Sequence, residues 1–220
     1  MSYLTERTAL IVGATGLIGQ QLLKKLLDSP YYTRVIVLAR RPTGIMNSKM
    51  VEHIYDFENP DARLVRGEDV FCCLGTTIKK AGSKEAFRKV DLEYPLQIAR
   101  FAQQNGAQKF LIVTAMGANP DSSIFYNQIK GKVEQRLQEL QYEILHIFQP
   151  SLLLGERTER RVGERIGTIF ANILNPFMVG SLRKFRAIDS NKVASAMIAN
   201  AKESKKGVFI HHSDELQKYL

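Results

Sequence analysis

Residues 9–26 read ALIVGATGLIGQQLLKKL. An apolar run passes into three evenly spaced glycines, Gly13, Gly16 and Gly19, and then into leucines at 22, 23, 26 and 27. The run is strand-like and the leucine spacing is helical. The stretch therefore predicts a strand, a tight turn and a helix over 17–28, which is how a βαβ unit opens. In that context each glycine has its own task. Gly13 permits the turn, Gly16 lets the backbone approach a pyrophosphate, and Gly19 lets the helix pack close on the sheet. The amides of Gly16, Leu17 and Ile18, beside Thr15, would then lie at a helix N-terminus, where partial positive charge favours an anion. A glycine-rich turn without a ligand is the alternative, and the placement of the glycines between strand and helix disfavours it.

Working outward, the next strand ends in VLARRP, with Arg40 and Arg41 where an NAD site usually carries an acidic residue for the ribose hydroxyl. A guanidinium matches a phosphate with paired donors, so NADP(H) is expected over NAD(H). Two further strand ends should fall in the same crevice. YDF supplies Asp56, to accept from an adenine amino group, and Phe57, to stack near it; Asp56 could equally cap a turn. CLGTT supplies Leu74, Gly75, Thr76 and Thr77, with Gly75 allowing close approach to a cofactor.

Apolar runs recur at 8–14, 34–40, 51–57, 69–75, 109–115, 142–149 and 207–213, rich in Val, Ile, Leu and Phe. Near-continuous runs of this kind suit strands buried on both faces of a parallel sheet. Helical patterns lie between them at 17–28, 84–104, 123–140, 162–174 and 190–203. This alternation predicts an α/β class fold: a Rossmann-like, doubly wound, mostly parallel sheet with helices on both faces. Residues 58–68 are too short and polar for a full crossover helix, so one layer should be thin there. We find no repeat and no linker, so 1–220 reads as a single domain. The less regular 155–188 is expected to form a small C-terminal cap on the substrate side.

The chain carries a net charge of +9, which suits an anionic ligand, but the basic residues are scattered and no nucleic-acid motif accompanies them. Nucleic acid is not an expected partner. Cys72 and Cys73 are adjacent in a probable strand and should point to opposite faces. They read as small buried hydrophobes in a reducing compartment. No apolar run is long enough to span a bilayer and no signal-peptide pattern is present. The expected location is cytoplasmic, without a membrane partner. The histidines show no metal-ligand spacing.

One stretch remains, SSIFYNQIKGKVEQ at 122–135, with Tyr126 and Lys130 four apart on a helical pattern. The spacing alone decides nothing. Taken with GATGLIG, ARR, YDF and FCCLGTT, it resembles the atypical short-chain dehydrogenase/reductase superfamily. FCCLGTTIKKAGSKEAFRKVDLEY and GANPDSSIFYNQIKGKVE are similar to the Tat-interacting protein 2 (oxidoreductase-like) branch and its bacterial relatives, from about residue 7 to 215. The resemblance implies a Rossmann fold and NADP(H) binding. It implies that Tyr126 moves a proton at a substrate carbonyl or hydroxyl, and that Lys130 binds the nicotinamide ribose and lowers the tyrosine pKa. Gly131 would leave room beside the lysine. The usual third member is a serine near the end of the fifth strand. Here IVTAMGAN offers Thr114 at the plausible place, as a catalytic substitute for that serine or as a structural strand-end threonine, and Ala115 where many members carry the serine. Pro150 and Leu152 would line the nicotinamide pocket, with Gln149 and Ser151 replacing a common arginine and glycine. Asp91 stands where an asparagine often bridges to the lysine through water. Two functions are consistent with this: an oxidoreductase acting on a small carbonyl or alcohol, and an NADP(H)-binding regulatory or redox-sensing protein with little turnover.

Overall fold

The computed structural model describes residues 7–154 and 185–220. Seven strands form one sheet: β1 (Thr8–Val12), β2 (Arg34–Ala39), β3 (Met50–Ile54), β4 (Asp69–Cys72), β5 (Lys109–Val113), β6 (Ile144–Gln149) and β9 (Gly207–His212). Their order is β3-β2-β1-β4-β5-β6-β9 and every neighbouring pair is parallel. Two short strands, β7 (Leu153–Leu154) and β8 (Ile188–Asp189), pair separately. The expected strands are all present, each one to three residues shorter than its apolar run.

The helices are α1 (Leu17–Asp28), α2 (Ile78–Ala81), α3 (Lys84–Arg88), α4 (Tyr94–Gln104), α5 (Phe125–Glu139), α6 (Ser190–Ala201) and α7 (Ser213–Leu216). Parallel strands need crossovers, and burial of both sheet faces follows from placing those crossovers on opposite sides. One apolar layer joins the α4 and α5 residues Leu96, Ile98, Ala99, Ile129 and Val133 to Leu10, Val70 and Phe110 of the sheet. The other joins Leu22, Leu23 and Leu26 of α1 and Val193, Ala196 and Met197 of α6 to Ile11, Val37 and Leu111. Alternation along the strand splits the adjacent cysteines as expected: Cys72 belongs to the first layer and Cys73 packs against the second.

Between β3 and β4 the chain makes only a three-residue 3₁₀ turn, Ala62–Leu64, so that layer is thin as the sequence indicates. Every residue of β3 keeps some exposure. The expected helix at 162–174 and most of the cap at 155–188 lie outside the described residues.

One departure matters for the site. The segment 84–104 was expected as a single regular helix, but Lys89–Glu93 forms a π turn between α3 and α4. Pro95 explains it. Proline has no amide to donate to the carbonyl four residues back, which here is Asp91, and its ring crowds that carbonyl. A widened turn relieves the crowding, and π turns of this kind swing one side chain out of helical register.

Candidate active site

The sheet is parallel, so the C-terminal ends of all its strands share one edge. The strand order reverses between β1 and β4, and a crevice at such a switch point is where ligands bind in doubly wound sheets. The glycine loop lies there. Gly13 has φ +80°, and a Cβ on it would fall 2.5 Å from the Cys73 carbonyl carbon and oxygen. A Cβ on Gly19 would lie 2.1 Å from the Gly13 oxygen. Both glycines are therefore dictated by packing of loop, helix and β4. Gly16 is different: its Cβ would meet only the Gly13 oxygen, at 3.3 Å, and the Cys73 oxygen, at 3.9 Å.

The Gly16 amide donates to the Gly13 oxygen at 3.0 Å, so it serves the turn. This narrows the expected anion cradle of residues 16–18 to the amides of Leu17 and Ile18. They lie in the first turn of α1, where an amide has no intrahelical acceptor, and no side chain caps this end. Thr15 is exposed, with its carbonyl held by Gln20 Nε2 at 3.1 Å. Uncommitted amides on a twelve-residue helix fit a pyrophosphate. Arg40 and Arg41 follow β2 directly and are exposed.

The third strand end departs from expectation. The Asp56 carboxylate accepts from the Glu58 amide and from Asn59 Nδ2, each at 2.9 Å. It is a turn cap, and the Asn59 and Glu58 donors hold its carboxyl below the usual range. Phe57 is 5% exposed and stacks on Tyr94 with centroids 4.9 Å apart. Its ring belongs to the core and does not offer a face to an adenine. Its place three residues after the end of β3 could not reveal this, because burial there depends on Tyr94 of α4, 37 residues away.

Beyond β4, Leu74 is half-buried and Gly75 is exposed. The Thr76 amide donates to Asp91 Oδ2 at 2.9 Å. The Thr77 hydroxyl caps α2 by accepting from the Lys80 amide at 3.1 Å, so it is committed to local structure.

Tyr126 and Lys130 sit one turn apart on α5. The tyrosine ring is half-buried and packs on Phe87, centroids 5.5 Å apart, while the Lys130 ammonium lies 6.0 Å from the tyrosine ring centre. Lys130 is 4% exposed, and its Nζ is 2.7 Å from Asp91 Oδ1. The expected water bridge is replaced by direct contact, made possible by the π turn that carries Asp91 inward. Burial alone would push the lysine pKa down. The charge of Asp91 opposes burial, and the net shift is upward from the ordinary value. The group is an ammonium at every physiological pH.

The Thr114 hydroxyl does not reach toward this pair's outer side. It donates to Glu134 Oε1 at 2.5 Å and lies 3.3 Å from the Phe148 oxygen. Gln149 Nε2 contacts both Glu134 oxygens, at 3.0 and 2.9 Å. Glu134 is buried, and burial raises its pKa against the pull of Thr114, Gln149 and Lys130. Thr114 is thus a member of a buried network, and the expectation that it substitutes for the missing serine does not hold in this geometry. Sequence reasoning missed Glu134. The available signal was its spacing, two turns past Tyr126 and one past Lys130 on the same helix face.

Gly131 also differs from expectation. A Cβ there would fall 2.1 Å from the Pro120 nitrogen and 2.2 Å from the Asn119 carbonyl carbon. The room beside the lysine is filled by that loop's backbone, which clamps the β5–α5 connection onto α5. Pro150 is buried, and its carbonyl accepts from the Met116 amide at 2.9 Å. Leu152 is 61% exposed on the same edge. Among the described residues no group of three His, Cys, Asp or Glu is arranged for a metal ion, and no helix is long and apolar enough to cross a membrane.

Comparison with known proteins bears on the family and the fold. Residues 9–219 match the profile of the NAD dependent epimerase/dehydratase family. The chain is similar to Protein HTATIP2 of Rattus norvegicus, 36% identical over 171 residues, covering 75% of this chain and 70% of that protein. It is also similar to the mitochondrial Protein FMP52 of Candida albicans, 32% identical and covering 84% of each. Among solved structures, a UDP-N-acetylglucosamine 4-epimerase from Methanobrevibacter ruminantium superposes with a TM-score of 0.70 at 13% identity, covering 94% of this chain and 76% of that one. MoeE5, solved with UDP-glucose and NAD, superposes with a TM-score of 0.70 at 13% identity, over 95% and 79%. These structures share the fold. The names of the fungal relatives correct the expectation of a cytoplasmic location, since they are described as mitochondrial. Unpaired cysteines and a lack of membrane-length apolar runs do not distinguish a mitochondrial from a cytoplasmic protein.

Proposed function

Because this chain belongs to the NAD dependent epimerase/dehydratase family, we propose that it is an NADP(H)-dependent oxidoreductase of the short-chain dehydrogenase/reductase type, acting on a small carbonyl or alcohol. The observation that carries this reading is the charged Lys130, buried and held 6.0 Å from the Tyr126 ring. When bound, the nicotinamide supplies or accepts a hydride. The chain's own residues do the rest. The amides of Leu17 and Ile18 hold the pyrophosphate, with Gly16 leaving the approach open. Arg40 and Arg41 take the 2′-phosphate, and Gly75 admits the nicotinamide end. The Tyr126 hydroxyl gives or takes the proton at the substrate oxygen. Lys130 would hold a ribose hydroxyl beside it.

A second reading has its own support. With alanine at 115 and the Thr114 hydroxyl engaged by Glu134, no hydroxyl from this strand end is left to orient a substrate. An NADP(H)-binding redox sensor needs the glycine loop and the arginines but not that hydroxyl. A screen of small aldehydes and ketones with NADPH separates the two: tight binding with no turnover of any of them favours the sensor.

Cofactor preference is tested by calorimetric titration of NADPH and NADH. Loss of a charge-assisted pair to the 2′-phosphate costs roughly 1.5–3 kcal/mol, so NADPH should bind about tenfold to over a hundredfold more tightly. Arg40→Ala with Arg41→Ala should erase the difference. Equal affinities in the parent would refute the assignment of the 2′-phosphate to these arginines.

The same titration tests the loop through Gly16→Val. Gly13→Val is unsuitable, because its side chain would meet the Cys73 backbone and damage the fold. Gly16→Val has only the Gly13 oxygen close by, so it should fold and lose NADPH binding at least tenfold. A variant that binds as the parent does would reduce the loop to a turn.

A further inference from the structure

The ion pair at the base of the crevice carries a consequence for which form of the cofactor is held. Asp91 is 1% exposed and Lys130 4%, with 2.7 Å between their charged atoms. Gly75 is the residue above them. A Cβ placed on it would lie 3.6 Å from Asp91 Oδ1 and 3.8 Å from Lys130 Nζ. Among the described residues, a Cβ at this position would meet only the pair itself, so the pair lies directly beneath the exposed backbone of the crevice wall. Asp91 is also tied to that wall, since its other oxygen takes the Thr76 amide.

We propose that Asp91 is a specificity-determining residue for the oxidation state of the nicotinamide cofactor. An oxidised nicotinamide ring carries a positive charge and a reduced ring carries none. A buried lysine without a counterion would repel the first and ignore the second. Asp91 cancels that repulsion and so admits the oxidised form. This inference rests on the cofactor reading above and extends it. The other charged group facing Lys130 is Glu134, one turn along α5, whose oxygens are occupied by Thr114 and Gln149. The Asp91 carboxylate is the one in contact with the ammonium.

The size of the effect follows from Coulomb's law. One uncompensated unit charge beside the ring, at an effective dielectric near 20, changes binding of the charged form by about tenfold or more. The experiment is a titration of NADP⁺ and NADPH against the parent and Asp91→Asn, run from about pH 5 to about pH 7, because a buried lysine without its counterion titrates lower and keeps its proton at the acid end. The expected result is that Asp91→Asn loses at least about tenfold more affinity for NADP⁺ than for NADPH. A tenfold change in that ratio makes the bound couple about 30 mV more positive. Asp91→Ser, which keeps an acceptor for the Thr76 amide in less volume, has the same expectation should the asparagine variant fail to fold. Asp91→Glu, which keeps the charge, should leave the ratio within about threefold of the parent. Equal loss for both forms in the neutral variants would make Asp91 a brace for the loop and overturn the proposal. If the parent binds neither form, the cofactor reading falls and takes this inference with it. If the parent binds and the ratio is unmoved, only the inference falls.

Discussion

Replacing Tyr126 by phenylalanine should lower the turnover of an identified substrate by about 10²–10⁴-fold, the scale of general acid–base catalysis. The ring is anchored by its packing on Phe87 and on the apolar layer beneath α5, and these contacts do not involve the hydroxyl. Tyr126→Phe should therefore fold as the parent does and bind NADPH within a few-fold of it. The comparison of binding with turnover is what gives the variant its force. A loss confined to turnover places the proton transfer at this oxygen. Turnover at the parent rate would make the tyrosine a packing residue, and the chemistry would have to be sought elsewhere on the crevice.

Lys130→Met should destabilise the protein by about 3–5 kcal/mol, the usual cost of leaving one half of a buried ion pair without its partner. Methionine fills similar volume, so the loss comes from charge and not from a cavity. Asp91 would keep only the Thr76 amide as a donor at 2.9 Å. For a chain of this length the melting temperature should fall by roughly 10 °C. Adding Asp91→Asn to Lys130→Met should recover most of that loss, because the double variant buries no unpaired charge. Thermal or urea denaturation of the four proteins forms a double-mutant cycle. A single variant as stable as the parent would mean that the pair contributes nothing to folding.

The sheet was legible from the sequence because its seven strands announce themselves locally. Each is a short run of Val, Ile, Leu and Phe, and burial on both faces leaves little room for other residues. The glycine loop was legible as a pattern: a clash with the Cys73 backbone at 13, and with the Gly13 carbonyl at 19, admits nothing but glycine at these positions. The pairing of Tyr126 with Lys130 was visible as a spacing, and its meaning came from resemblance. What escaped the sequence depends on distant contacts. Phe57 is buried by Tyr94, and the Thr114 hydroxyl is turned by a glutamate on another element. The π turn could have been read from Pro95, since an internal proline must disturb the carbonyl of Asp91. That the disturbance would bring the carboxylate to Lys130 required knowing where α5 lies.

The thin layer beside β3 gives the molecule an uneven local stability. Strands β1, β4 and β5 are sealed between two helical layers, so their amides can exchange with solvent only when the whole domain opens. β3 has one neighbour, no fully buried residue and a single 3₁₀ turn for cover, so it can part from β2 at far smaller cost. Arg40 and Arg41 stand at the end of β2, on the margin of that weak seam. A phosphate gathered by these arginines would tether the strand end where breathing is easiest. Occupancy of the crevice would then be recorded first as slowed hydrogen exchange along β2 and β3, in a part of the protein remote from the tyrosine.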